Sequence, residues 1–216
     1  MRINELPRLP GTTWPRVELL PFGPQHLDMV WEWMNPPQVR CWLDFGGGRQ
    51  DLSKRQLYLM LSNSHVCARL FQLPGDSRPL GLVCMNNIDD LMGSMDVWIV
   101  RDLSVMRPIR NSVTSAGARI LATGFLDFGR QIATTWVVAS NRASIYLHDI
   151  IGMRHSGTQR SRHVIDGRRH DRWLYDMTLA EFGQLYPDVP SEQGRTFRTH
   201  FMRTLPDDGG LEVTHG

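Results

Sequence analysis

The sequence predicts an α/β fold of the α+β kind: a mixed, largely antiparallel central sheet flanked by helices. Three observations carry that expectation. From Thr134 to Met153 the chain reads TTWVVAS and then NRASIYLHDIIGM. That is a β-branched and aromatic strand, an asparagine able to cap, four isoleucine and leucine positions at helical spacing (Ile145, Leu147, Ile150, Ile151), and Gly152 where a left-handed stop is cheapest. Three further strand candidates, His65 to Leu73, Leu80 to Ile88 and Ser94 to Val100, follow one another across LPGDSRP and DDLMG turns, as an antiparallel meander does. Helical segments are also too few to supply the crossovers of a doubly wound parallel sheet.

The remaining elements follow in order. Residues 1–15 are expected as a proline-bearing arm, residues 16–186 as one domain, and residues 187–216 as a polar tail rich in Pro and Gly. Arg16 to Phe22 is a short strand, and Gly23-Pro24 starts a helix to Met34 with Leu27, Val30, Trp31 and Met34 on one face. Asn35-Pro36-Pro37 breaks it, a turn carries Val39, Trp42 and Leu43, and Asp51 can cap a helix through Leu61. After the loop Arg101 to Arg110, Ser112 to Gly129 has a helical period, with Asn111 or Ser112 as cap. A strand from about Thr158 to Ile165, an Asp166-Gly167 hairpin and a strand from Asp171 to Leu179 close the domain.

A length of 216 residues suits a single core. The net charge of +2 is too small to argue for nucleic acid, and no apolar run approaches the roughly 18 residues that span a bilayer. The first residues show no apolar stretch of signal-peptide length, so the cytoplasm is the expected compartment. Cys41, Cys67 and Cys84 share no metal spacing and read as reduced thiols; no HExxH, paired Cys/His set or carboxylate cage suggests a metal.

Read as N-x-x-S-I-x-L-x-x-x-x-G-M, Asn141 to Met153 resembles the asparagine-to-glycine motif of the GNAT superfamily of N-acyltransferases. Trp33, Asn35, Pro37 and Val39 form W-x-N-x-P-x-V, which looks like the first-helix motif of its ribosomal-protein N-terminal acetyltransferase branch, the RimJ/RimL-like proteins. The order Gly167, Asp171, Tyr175 and Leu179-Ala180-Glu181-Phe182 is similar to the family's close, so the resemblance covers about residues 16–183. It implies acetyl-CoA as the acyl donor and a primary amine of a small metabolite or peptide N-terminus as acceptor; composition leaves neither nucleic acid nor membrane as an expected partner, and a homodimer is compatible with the reading. A carrier-bound donor and a non-catalytic GNAT-like binding protein are the alternatives.

The resemblance also implies roles. GNAT proteins commonly write the donor loop R/Q-x-x-G-x-G/A; this chain has Arg107-Pro108-Ile109-Arg110-Asn111-Ser112, with Arg110 and Ser112 at the glycine positions. Donor contacts are expected from Ile99, Val100, Arg101, Arg107, Arg110, Asn111, Ser112, Asn141 and Ser144. His148 stands four residues after Ser144, where many relatives place a tyrosine acid, and Asp96 is a candidate base alongside Asp89, Asp90, Glu32 and Asp44. Trp33, Asn35, Trp42 and Asp44 fall in the acceptor wall. The basic run of Arg154, His155, Arg160, Arg162, His163, Arg168, Arg169, His170 and Arg172 either attracts an anionic partner or is a solvated hairpin.

Overall fold

A computed structural model of the protein describes residues 16–105 and 111–202. The expected arm at residues 1–15, and Arg107 and Arg110 of the donor loop, lie outside the described residues. Seven strands form one sheet: β1 (Glu18–Pro21), β2 (Val66–Gln72), β3 (Gly81–Asn86), β4 (Ser94–Arg101), β5 (Ile132–Val138), β6 (Arg154–Ile165) and β7 (Arg168–Thr178), in spatial order β1-β2-β3-β4-β5-β7-β6. Every neighbouring pair is antiparallel except β4 with β5, which is parallel. The fold class expected from the sequence is therefore the one observed.

Both faces of the sheet are covered, which explains why β3 reads as a continuous apolar run and β2 as one broken only by Arg69. On one face α4 (Ser112–Ala122) and α5 (Arg142–Ile151) pack over Val83, Met85, Met95, Val97, Ala133 and Val137. On the other, α1 (Leu27–Met34) and α3 (Lys54–Leu61) cover Leu70, Leu82, Cys84 and Val100. A one-turn α2 (Pro37–Arg40) joins them after Pro36 ends α1, and α6 (Leu179–Leu185) and α7 (Phe197–Met202) follow β7. Alternation along β4 sends Met95 and Val97 to the first layer and Trp98 and Val100 to the second, so this strand belongs to both cores.

Four expectations need correction. Ser53, not Asp51, caps α3: its hydroxyl accepts from the Gln56 amide while the Gln56 side chain returns to the Ser53 amide. The helix expected through Gly129 stays α-helical only to Ala122, then widens into a π turn over Thr123–Asp127. Strand β6 begins at Arg154 rather than Thr158, because its polar, exposed first residues lie on a sheet edge and show no apolar alternation. Residues 187–202, expected as part of a tail, are held on the domain. Ser191 Oγ donates to Asp127 at 2.8 Å, Arg195 donates to the Leu126 carbonyl at 2.9 Å, Arg69 pairs with Glu192, and the Phe197 ring lies against Gly183. Polar side chains reaching backbone and carboxylate groups hold this segment, which hydrophobic content alone does not reveal.

Gly81 opens β3 where a Cβ would lie 2.4 Å from the Val100 carbonyl oxygen and 2.5 Å from the Phe71 ring. Backbone cannot step aside as a flexible side chain can. Gly81→Ala should therefore lower stability by about 1–3 kcal/mol, read as a lower urea midpoint at an unchanged slope; an unaltered midpoint would show that β3 and β4 can part there at no cost.

Candidate functional site

Strands β4 and β5 pair through three positions, Ser94 with Ile132, Met95 with Ala133 and Asp96 with Thr134. Beyond that the strands part. β5 stays bonded to β7 from Ile132 to Val138, and β4 stays bonded to β3 through Arg101. The edges of Val97–Arg101 and Thr135–Val138 that face each other thus carry no ladder to one another, and a wedge opens towards the strands' C-terminal ends. Each of those ends leads to a helix start, α4 after β4 and α5 after β5. The first turn of a helix carries amides without intrahelical partners and the positive end of its dipole, so two anion-favouring termini face the mouth of the wedge.

Those expected donor residues that are described stand on the strand ends and helix starts just named. Ile99 packs towards α4, Val100 is buried in the opposite layer, and Arg101 ends β4 exposed. Asn111 precedes α4 with φ 75°, in the left-handed region that asparagine tolerates best after glycine. The position between the two missing glycines thus has the turn a glycine would give. Ser112 is buried behind it. Asn141 caps α5 by accepting the Ser144 amide at 3.2 Å, and Gly152 stops the helix at φ 85°.

At the closed end of the wedge lies a polar row. Asn86, Asp96, Thr134, Asp176 and Arg154 are successive cross-strand partners over β3, β4, β5, β7 and β6, so they share the face away from α4 and α5. Thr134 Oγ1 donates to Asp96 Oδ1, and Asn87 Nδ2 donates to Asp96 Oδ2 at 2.8 Å. Asp176 Oδ1 is buried without a hydrogen bond; Arg154 Nε lies 3.4 Å away, on a side chain 61% exposed, too screened to occupy it strongly. Two carboxylates flanking one hydroxyl can receive an ammonium group or its proton. Thr134 and Asp176 escaped the sequence reading; the alternation of β5 and β7 was their only signal.

No known protein-family model and no curated protein sequence matches the chain. Solved structures do. A spermidine N-acetyltransferase from Vibrio cholerae, in complex with CoA and spermine, is similar with a TM-score of 0.67 at 13% identity, over 77% of this chain and 97% of that one. The Vibrio cholerae spermidine/spermine N-acetyltransferase in complex with manganese ions is similar at 0.64 and 13%, over 78% and 96%. The chain has the GNAT fold.

On this GNAT frame the expected acceptor residues are dispersed. Trp33 is 7% exposed in the core between α1, α3 and the sheet. Asn35 caps the end of α1, and Trp42 is half-buried in the loop between α2 and α3. Both oxygens of Asp44, on a side chain 5% exposed, are engaged within the loop and the hairpin. Its Oδ1 accepts the amides of Gly46 and Gly48 at 2.8 and 3.0 Å, and its Oδ2 pairs with Arg172. Burial alone would raise the Asp44 carboxyl, but those bonds bring it below its ordinary value. Among the described residues no cluster of His, Cys, Asp and Glu could hold a metal, and no helix is long and apolar enough to cross a membrane.

His148, expected as the acid, is buried. It faces inward from α5, 8% exposed, its ring 5.3 Å from that of Tyr175. Nδ1 lies 2.6 Å from the Ser144 carbonyl and so carries the proton, leaving a lone pair on Nε2. Burial lowers its pKa below the ordinary histidine value, with the Ser144 bond opposing. Near neutral pH the ring is uncharged and has no proton to give from Nε2. The folded chain binds the His148 proton less readily than the unfolded chain, whose value is about 6.5. The resulting contribution to stability is whole above that pH and lost as pH falls towards the lowered folded value. Urea unfolding at pH 7.5, 6.5 and 5.5 should show stability falling more steeply in the wild type than in His148→Phe; parallel declines would mean the ring titrates as it does in the unfolded chain.

Proposed function

We propose that this protein transfers an acetyl group from acetyl-CoA to the primary amine of a small cationic acceptor. The observation that carries the reading is the wedge between β4 and β5, with helix N-termini at its mouth and the Asp96–Thr134–Asp176 row at its closed end. The pyrophosphate suits the start of α4, where Asn111 supplies the turn and Arg107 and Arg110, by the family resemblance, supply charge. The pantetheine arm suits the unladdered edge of β4, whose backbone groups can hydrogen-bond it. The solved structure holding CoA and spermine supports both the donor and the charge of the acceptor.

In the reaction the neutral amine attacks the thioester carbonyl carbon, forming the C–N bond. The carbonyl oxygen, which gains negative charge, is met by backbone N–H groups on the parted edge of β4. Collapse breaks the C–S bond and releases CoA thiolate, which takes a proton from water. The amine's surplus proton passes towards Asp96, whose oxygens each accept one hydrogen bond and keep further lone pairs open. His148, neutral and turned into the α5 layer, supports the wall beneath the wedge; the acid role implied for it by family position is not retained. Its W-x-N-x-P-x-V motif gives a peptide N-terminus as the second acceptor class.

Thiol release from acetyl-CoA in the presence of spermidine tests the reading, with a CoA thermal-shift titration alongside. Turnover with a midpoint that climbs with CoA concentration is expected; neither effect would leave a GNAT-fold protein without this activity. Asp96→Asn should lower kcat/KM by about 10- to 100-fold, whereas His148→Phe should cost less than about tenfold. A larger loss at His148 would restore it as the acid. Arg107→Ala or Arg110→Ala should weaken acetyl-CoA by about 10- to 150-fold and leave acetyl-pantetheine, which lacks the pyrophosphate, almost untouched; equal losses on both donors would make these arginines supports of the fold.

A further inference from the structure

The loop between α2 and α3 is tied to the β6–β7 hairpin by buried charge. Asp44 and Arg172 pair with side chains 5% and 7% exposed. The Arg172 guanidinium stacks over Trp136 of β5, 3.8 Å from the ring centroid, and its Nη2 also lies 3.0 Å from His163 Nδ1. His163 Nε2 lies 2.7 Å from the Cys41 carbonyl, and Gln50 Nε2 donates to the Val164 carbonyl at 2.8 Å. Both ends of residues 41–50 are thus fastened to the hairpin, and the middle is folded onto Asp44 by the amides of Gly46 and Gly48.

One neutral form of His163 satisfies its two short contacts, while Gln50 Nε2, 3.4 Å from Nε2, gives its hydrogen to the Val164 carbonyl. A proton on Nε2 donates to Cys41, and the bare Nδ1 accepts from Arg172. The other neutral tautomer would set N–H against N–H at Arg172 and lone pair against lone pair at Cys41. A doubly protonated ring would lose the Arg172 bond and place two cations in contact in a buried site. The groups facing the ring are Arg172 and His170 from β7, Asp44, Cys41 and Gln50 from the loop, and Trp136 from β5. Burial sets its pKa below the ordinary value, the bond to Cys41 opposes, and Arg172 lowers it further against Asp44.

We propose that His163 and Arg172 are positioning residues for the acceptor side of the wedge: a latch that holds residues 41–50 shut while His163 is neutral and frees them when it takes a second proton. The proposal rests on the acyltransferase reading for its effect on the reaction, not for the latch itself. Trp42 moves with the loop, and Trp136, under Arg172, borders the wedge. Opening should therefore weaken the acceptor and spare the donor, whose contacts lie on β4 and α4.

Two measurements test it together. Amide exchange of Gly46 and Gly48, corrected for the intrinsic pH dependence, reads the latch without substrate. Their protection should fall at least about tenfold from pH 7.5 to 5.5 in the wild type and stay level in His163→Gln, whose amide does not titrate. Arg172→Lys, which keeps the charge but loses the fork and the stacking, should lose protection at both pH values. Spermidine KM, taken as the ratio of wild type to His163→Gln at each pH so that the substrate's own titration cancels, should rise by a similar factor, with kcat and CoA affinity steady. Protection indifferent to pH, or falling equally in His163→Gln, overturns the latch. Protection that falls while the KM ratio stays flat overturns the positioning role. A responsive latch in a protein that acetylates no amine supports the latch and overturns the acyltransferase reading instead.

Discussion

Everything at the candidate site follows from the early parting of β4 and β5. A sheet normally pairs its strands along their length, and buried backbone groups left without partners cost about 1–3 kcal/mol each. Here the two strands stop pairing after Asp96 and Thr134, although each stays fully bonded on its other side. A break of this kind persists where the packing on both faces over-determines it. β4 is held by its place in two cores, with Met95 and Val97 under α4 and Val100 under α1 and α3, and β5 is held by seven partners along β7. The strands cannot close the gap without withdrawing side chains from one core or the other.

The parting divides the chemistry by face. Towards α4 and α5 the helix starts offer backbone N–H groups to an anion. On the opposite face, the one α1 covers, the row of Asp96, Thr134 and Asp176 presents carboxylates. This arrangement also explains why one arginine of a basic hairpin is buried. Arg160, Arg162, Arg168 and Arg169 are exposed, whereas Arg172 turns back over Trp136 to Asp44 and fastens the 41–50 loop to the hairpin with a buried pair of charges. Breaking such a pair is costly because either survivor is left charged and buried.

Much of the fold was legible in the sequence because its signals are local. The cap at Asn141, the stop at Gly152, the break at Pro36 and the Asp166-Gly167 hairpin each depend on a few neighbouring residues. The polar edge strand and the segment 187–202 were not legible, since what holds them is pairing with β7 and hydrogen bonds to residues more than 60 positions away. The site divides the same way. Motif residues such as Asn141 and Ser112 stand where the resemblance puts them, at helix starts. Asp44 and His148 do not have their expected freedom, because burial and bonding set the state of an ionisable group and neither is written at its own position. Arg172 and His163 read as two of many hairpin cations; only the register of β6 and β7 and the loop lying over them make these two different.

The central claim is that the parted half of β4 and the start of α4 form one donor site. Amide chemical shifts followed while CoA is titrated into the protein test it most directly. The account requires the largest changes at Val97–Arg101 and Ser112–Ser115, with β1 and β2 nearly still. Changes centred elsewhere, or none at saturating CoA, would contradict it.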